Sequence, residues 1–491
     1  MDIVARFRAW LRLDRAPQLS FFNTMGKEKQ RFLPVPDAKE VRMYNCGPTV
    51  YGRQHIGNLS MFVFTDVLRR VLEYNDLQVK QVINITDFGH LSSDADEGED
   101  KMSIGLRREG LEPTLENMHA LAEKYAALFF NDIKALNVRT EKIQFPRASE
   151  HVPGQIAMIR TLEEKGYAYR TPEGMYFDTA RFPEYGKLGD IDLAGLRAGA
   201  RVASSHKKNP TDFILWKSSD GLGWDSPWGK GFPGWHIECS AMVRATLGQQ
   251  IDIHTGGIEH IPVHHNNEIA QSECATGKRP FSRFWLHRAH LQLAGAKIAK
   301  SEGNVVYLPD IIERGFHPLS LRYLLLGAHY RTPANFTWDA LDASQRAYAK
   351  LLALFLPLPN ENAEVPARWK ARFLARIDDD LDTPGALATL WEMTKDKTLS
   401  PAQLRAALLD FDRVLGLDFA EPDEAARKLA AADSENEISL ESLPEEVRQL
   451  VNEREVARAN KNYPAADALR SRIEDLGYKL KDGEVPRTFK L

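Results

Sequence analysis

Residues 41–58 read VRMYNCGPTVYGRQHIGN, and the reading of this stretch decides the fold. VRMYNC predicts a strand and Gly47-Pro48-Thr49 a turn. Past His55-Ile56-Gly57-Asn58, the run FVFTDVLRRVLEY carries apolar residues at helical spacing. QVINIT, residues 81–86, predicts a second strand. Strand, glycine-containing turn, helix and strand in this order make a parallel βαβ unit, whose ligand site lies beyond the carboxyl ends of the strands. Cys46 and Thr86 both fall at that edge.

Outward from this unit, helical patterns cover 113–135 and 152–166, and a turn-rich stretch from 170 to 234 predicts an insertion or lid. A second α/β block follows at 235–290, and from 341 to 420 the apolar residues recur at helical spacing, as in a helix bundle. Residues 421–446 are acidic and polar and suit a linker. The last segment, 447–491, has ten Lys or Arg against seven Asp or Glu and reads as two helices ending in a polar tail. With 491 residues, 43% of them hydrophobic, the chain can bury several cores, which excludes a disordered or fibrous protein. A net charge of −4 gives no global basic field, so nucleic-acid contacts must come from local patches. Three widely separated cysteines do not form a secreted disulfide framework, and the expected compartment is a reducing cytoplasm. No apolar run reaches membrane-spanning length, so no membrane is expected among its partners. Residues 3–15 mix apolar and arginine residues at helical spacing within a terminal extension, residues 1–20.

Two sets of residues carry chemistry. Cys46, Cys239 in GWHIECSAM, and His264 with Glu268 in PVHHNNEIAQSE have the side chains of zinc ligands, and His264 and Glu268 share one face if a helix starts after Pro262. His254, His260 and His265 are rival ligands, and each of these residues read alone is more often an ordinary core or surface residue. His55, Gly57 and Asn58 open a helix after a glycine-containing turn, where backbone amides favour phosphate. Lys297 and Lys300, in the loop GAKIAKSEGN, offer positive charge to a polyphosphate leaving group. KMS at 101–103 mimics part of such a loop motif without its Lys-Ser ending and is set aside as a decoy.

YNCGPTVYGRQHIGN, NITD, GWHIECSAM, DIHTGG, HHNNEIAQSE and AKIAKSEGN, in this order, resemble the cysteinyl-tRNA synthetases, from about residue 20 to the C-terminus. The resemblance implies an α/β fold, with a Rossmann-type parallel-sheet catalytic domain over 21–340. That domain would hold an insertion at about 146–230 and a stem-contact region at about 276–340. An all-helical bundle over 341–420, a linker over 421–446 and a small anticodon-binding domain over 447–491 would follow. It places Cys46, Cys239, His264 and Glu268 on the family's zinc ligands and Gly47, Thr49, Thr86 and Trp235 in its cysteine pocket. His55, Gly57, Asn58 and Lys300 fall at its ATP site, with His55, Lys297 and Lys300 catalytic. The departures are Asn58 for the last histidine of HIGH, KIAKS for KMSKS, Gly52 for aspartate, Asn266 for glutamate, and the acidic run DADEGED at 94–100.

The implied reaction joins cysteine to ATP as cysteinyl-adenylate and then to tRNA(Cys), in a monomer holding one Zn2+, with Mg2+ accompanying ATP. Zinc separates a thiolate from the nearly isosteric serine hydroxyl, which shape alone does weakly. Two rival readings are a ligase joining cysteine to an amino-sugar amine and an inactive synthetase paralogue serving as a binding module. The bundle and basic tail argue against the first, the retained zinc ligands and lysines against the second.

Overall fold

A computed structural model of the chain describes residues 19–35, 39–88, 101–191, 206–293, 296–297, 305–435, 437–438, 443–460, 462–481 and 487–490. The segment 3–15, the acidic run 94–100, and Ile298, Ala299 and Lys300 lie outside the described residues.

The sheet that positions the site has five strands: β1 (Val41–Asn45), β2 (Val79–Ile83), β3 (Ile143–Gln144), β4 (Ile251–Gly257) and β5 (Ser282–Arg288). All pairings are parallel and the order is β5-β4-β1-β2-β3. The chain therefore runs outward from β1 to one edge and returns to build the other side. This leaves a crevice between β1 and β4, where the strand order reverses. Helices cover both faces, and all seven residues of β4 are buried, as a parallel sheet requires. We number the helices around it α1 (Ile56–Tyr74), α2 (Lys101–Glu109), α3 (Leu115–Ala135), α4 (Val152–Glu164), α5 (Trp235–Thr246) and α6 (His264–Thr276).

The βαβ unit expected from the sequence is β1-α1-β2, in register from Val41↔Val79 to Asn45↔Ile83. The ladder stops at Ile83, short of the expected Thr86. Beyond it the Asn84 side chain accepts the Gly47 N–H at 2.8 Å, and Thr86 rejoins only through an isolated bridge to Thr49. The turn-rich stretch contains more than a lid. Ala168–Thr171, Gly174–Phe177, Phe213–Ser218 and Gly231–Pro233 form a four-stranded antiparallel sheet around buried Trp216. Strands this short between Gly and Pro turns carry too little periodicity to read in advance.

Beyond the sheet, helices Trp338–Phe355, Ala367–Ile377, Thr383–Met393 and Pro401–Leu415 share one hydrophobic cluster with α1, in which Phe64, Leu68 and Val71 meet Tyr348, Phe373 and Phe411. The supposed linker 421–446 contributes to this core as well. It carries helix Glu424–Glu435, whose Ala426 and Ala430, one turn apart, are buried in the same cluster. Two small residues suffice for that contact, so the acidic composition concealed it. The last segment has its own small core of Leu443, Val447, Leu450, Val451 and Ile473 between helices Glu445–Ala459 and Tyr463–Asp475. Its tail is not merely polar: Tyr478–Lys481 and Arg487–Lys490 pair antiparallel, and Glu437–Ile438 adds a third strand.

One buried charge network ties α1 to the bundle. Asp66 accepts from Arg70 Nε at 2.7 Å and Arg322 Nη2 at 2.6 Å, and Arg322 Nε reaches the Leu415 carbonyl at 2.7 Å. Burial alone would raise the Asp66 carboxyl, but Arg70 and Arg322 outweigh it and hold it below the usual range. This contribution to stability is present above the unfolded carboxyl value and is lost as pH falls through the lower folded value. Replacing Asp66 by asparagine keeps the shape and removes the one carboxylate to which both buried guanidinium groups are hydrogen-bonded. The variant is expected to lose about 3–5 kcal/mol of stability at neutral pH, read as a lower denaturant midpoint.

Candidate active site and metal centre

At the crevice between β1 and β4 lies a cleft of about 810 Å³. Its floor is the turn after β1. Here a β-carbon at residue 47 would fall 1.6 Å from the Asn84 carbonyl oxygen, so the chain ends of β1 and β2 can approach this closely only with glycine at that position. Gly47, Thr49, Thr86 and Trp235, the residues expected to form an amino-acid pocket, all line the cleft, and so do His55, Gly57 and Asn58. His55 caps α1: its Nδ1 accepts the Asn58 N–H at 3.2 Å, which assigns the ring proton to Nε2. The Thr86 hydroxyl donates to Glu238 Oε2 at 2.9 Å. Lys297 sits in the short strand Ala296–Lys297, where its backbone pairs with Gln292.

Several lining residues escaped the sequence reading. Lys101, Arg108, Glu259, Arg288 and His290 all face the cleft, as does His260, a rival ligand that belongs to neither donor set below. For Lys101 a signal existed, because it is the first residue of the KMS triplet set aside as a decoy.

Behind the wall stands α6, which buries twelve of its thirteen residues although most of them are polar. A polar helix buried on every side requires partners for its charges. Glu268 is 0% exposed; its Oε1 lies 2.9 Å from His264 Nε2 and its Oε2 2.9 Å from His254 Nε2. Burial opposes ionisation of Glu268, but His254 and His264 outweigh it and hold the carboxyl at about 2. Burial likewise opposes charge on the His264 ring, yet Glu268 and the Cys239 sulfur push it up to about 10. The hydrogen bond from Cys46 brings Cys239 down to about 6, while burial drives Cys46 upward.

The ligand atoms of Cys46, Cys239, His264 and Glu268 lie within 4.8 Å of one another, and those of Cys46, His254, His265 and Glu268 do too. The first set has two sulfurs, and three of its four members are on the cleft wall; the second has one sulfur and one such member. Two thiolates, an imidazole and a carboxylate suit zinc, and only the first set would present it to a molecule in the cleft. Of the rivals, His254 is engaged with Glu268. His265 Nδ1 meets His287 Nε2 at 2.7 Å, and His287 Nδ1 meets the Thr24 hydroxyl at 2.7 Å. Such contacts orient the first set from behind. Cys274 is buried outside both sets.

Residues 32–346 match the family of class I (C) tRNA synthetase catalytic domains, and residues 440–485 match the cysteinyl-tRNA ligase anticodon-binding domain. The chain is 46% identical to cysteine–tRNA ligase 1 of Burkholderia lata, over 94% of this chain and 95% of that one. It is 39% identical to the cysteine–tRNA ligases of Treponema denticola, over 96% and 99%, and Thermus thermophilus, over 96% and 98%. In fold it resembles Mycobacterium tuberculosis methionyl-tRNA synthetase bound by methionyl-adenylate, with a TM-score of 0.51 and 15% identity, covering 80% of this chain and 93% of that one.

The contact at Gly47 sets a test of the cleft. Gly47→Ala forces the turn away from Asn84; the expected cost is about 1–3 kcal/mol of stability in a denaturant titration. A displacement on the order of 1 Å at the cleft floor should remove about 100-fold of whatever activity the cleft supports.

Proposed function

This chain belongs to the cysteinyl-tRNA ligases of the class I tRNA synthetases, and on that premise we infer that it activates cysteine with ATP and transfers it to tRNA. The observation that carries the reading is the position of a sulfur-rich donor set on the wall of a Rossmann-type cleft. In the first step a cysteine carboxylate oxygen bonds to the α-phosphorus of ATP, brought with Mg2+, and the bond to the β-phosphate breaks, releasing pyrophosphate. In the second, a hydroxyl of the terminal ribose of tRNA attacks the carbonyl carbon and AMP leaves. No protein nucleophile takes part, so positioning and charge stabilisation supply the catalysis.

Cys46, Cys239, His264 and Glu268 would hold a zinc ion, which when bound supplies a soft site preferring thiolate sulfur to a hydroxyl oxygen and so separates cysteine from serine. Trp235 stacks on His264, with ring centroids 4.1 Å apart, and closes the pocket that Gly47, Thr49 and Thr86 begin. His55, with Nε2 as donor, serves the phosphates together with Gly57 and Asn58 at the start of α1. Lys297 and Lys300 supply positive charge to the α-phosphate and the departing pyrophosphate. Over residues 447–491, the basic excess and Tyr463, 60% exposed, suit an RNA backbone and an unpaired anticodon base. Tyr478, by contrast, packs on the small core of that segment. No helix among the described residues is long and apolar enough to cross a membrane. The reading includes a monomer working in the cytoplasm.

Two measurements test it. Purified protein should hold about one zinc per chain by elemental analysis. His264→Ala should lose the metal and the preference for cysteine over serine, whereas His265→Ala should keep the metal. The second uses a chain ending at residue 435, which retains the buried Ala426 and Ala430 that an end near 420 would remove. Cysteine-dependent pyrophosphate exchange should survive, and tRNA charging should fall on the order of 100-fold as the phosphate contacts are lost.

A further inference from the structure

Helix α2 is held against the cleft by contacts that leave it little freedom. Met102 and Leu106 are buried in the core beneath it. A β-carbon at Gly105 would fall 2.8 Å from both the Tyr51 carbonyl oxygen and Leu121 Cδ2, so the helix lies directly on the turn after β1. Arg108 Nη2 donates to that same Tyr51 carbonyl at 2.6 Å and to the Tyr125 hydroxyl at 3.0 Å. With the helix so fixed, Lys101 reaches the cleft, and its Nζ lies 5.9 Å from the centroid of the Trp235 ring.

Lys101 is the one lysine among the described residues lining the cleft. Of the two lining arginines, Arg108 is bonded as above, and Arg288, 6% exposed, donates through Nε to the Ser60 hydroxyl at 3.0 Å. Trp235 in turn stacks on His264, so the Trp235 ring links the Lys101 ammonium to the donor set that would take the cysteine sulfur. Cysteine is short. If its sulfur meets that donor set, its carboxylate is only three bonds away, near Trp235 and far from the outer phosphates. That carboxylate must approach an anionic α-phosphate, and a cation beside it lowers the repulsion.

We propose that Lys101 binds the carboxylate of the substrate cysteine and orients it toward the α-phosphorus of ATP. This rests on the inferred cysteine activation. When the carboxylate oxygen bonds to phosphorus its charge passes to pyrophosphate, and Lys101 no longer holds a full anion, so the contact favours binding before transfer.

The test compares cysteine with cysteamine, which keeps the amine and thiol and lacks the carboxylate. Wild type, Lys101→Ala and Lys101→Arg are measured in cysteine-dependent pyrophosphate exchange, with cysteamine as competitive inhibitor. Lys101→Ala should raise the KM for cysteine about 10- to 100-fold, as for loss of one charge-assisted hydrogen bond. The inhibition constant of cysteamine, the KM for ATP and the zinc content should stay unchanged. Lys101→Arg should recover part of the loss. Equal weakening of cysteine and cysteamine, or a KM for cysteine within about twofold of wild type, below the effect of a single hydrogen bond, would overturn the assignment. Absence of cysteine-dependent exchange in the wild type would instead overturn the activity on which it rests.

Discussion

The carboxylate of Glu268 is an ionised group with no exposure to solvent, and much of the catalytic half is arranged to keep it so. A buried anion is tolerable only with cations or donors on each oxygen. His264 meets one oxygen from the same helix one turn earlier; His254, from the middle of β4, meets the other. This explains two features that are odd in isolation, a histidine inside a central parallel strand and a buried helix with little apolar surface. It also draws Cys46 and Cys239 to the same point, from the end of β1 and from α5.

Around that point the molecule is stiff where substrate would lie. Gly47 sits against the Asn84 backbone, His55 closes the first turn of α1 with its own ring, and Gly105 lets α2 rest on the Tyr51 carbonyl. Each is a short-range steric or hydrogen-bonding constraint that leaves few alternative positions for the cleft wall. The same logic extends to the bundle: the Asp66 network and the shared apolar core make α1 part of both units, so the helix whose first turn lines the cleft is anchored in the bundle. The anticodon-type segment has a small core of its own.

Local patterns were enough for the βαβ unit, the bundle helices and the edge at which Cys46 and Thr86 lie, because strand and helix periodicity and turn residues act within a dozen positions. Motif order brought Cys239, His264 and Glu268 into one candidate set. Where the reading fell short, the missing information was long-range. The helix at Glu424–Glu435 depends on two alanines finding a surface some eighty residues earlier in the chain, and the strands after Tyr478 depend on pairing with one another.

The sequence by itself determined the order of elements, the chemistry of each candidate ligand and the family. Only the tertiary structure decided between His264 and His265 as the residue facing the cleft, placed His287 and Thr24 behind them, and turned Lys101 from a stray motif fragment into part of the wall. The physical reason is that residue type and periodicity are properties of a short window. Which side chains share a buried volume is settled by the sheet order β5-β4-β1-β2-β3, which brings together residues more than two hundred positions apart.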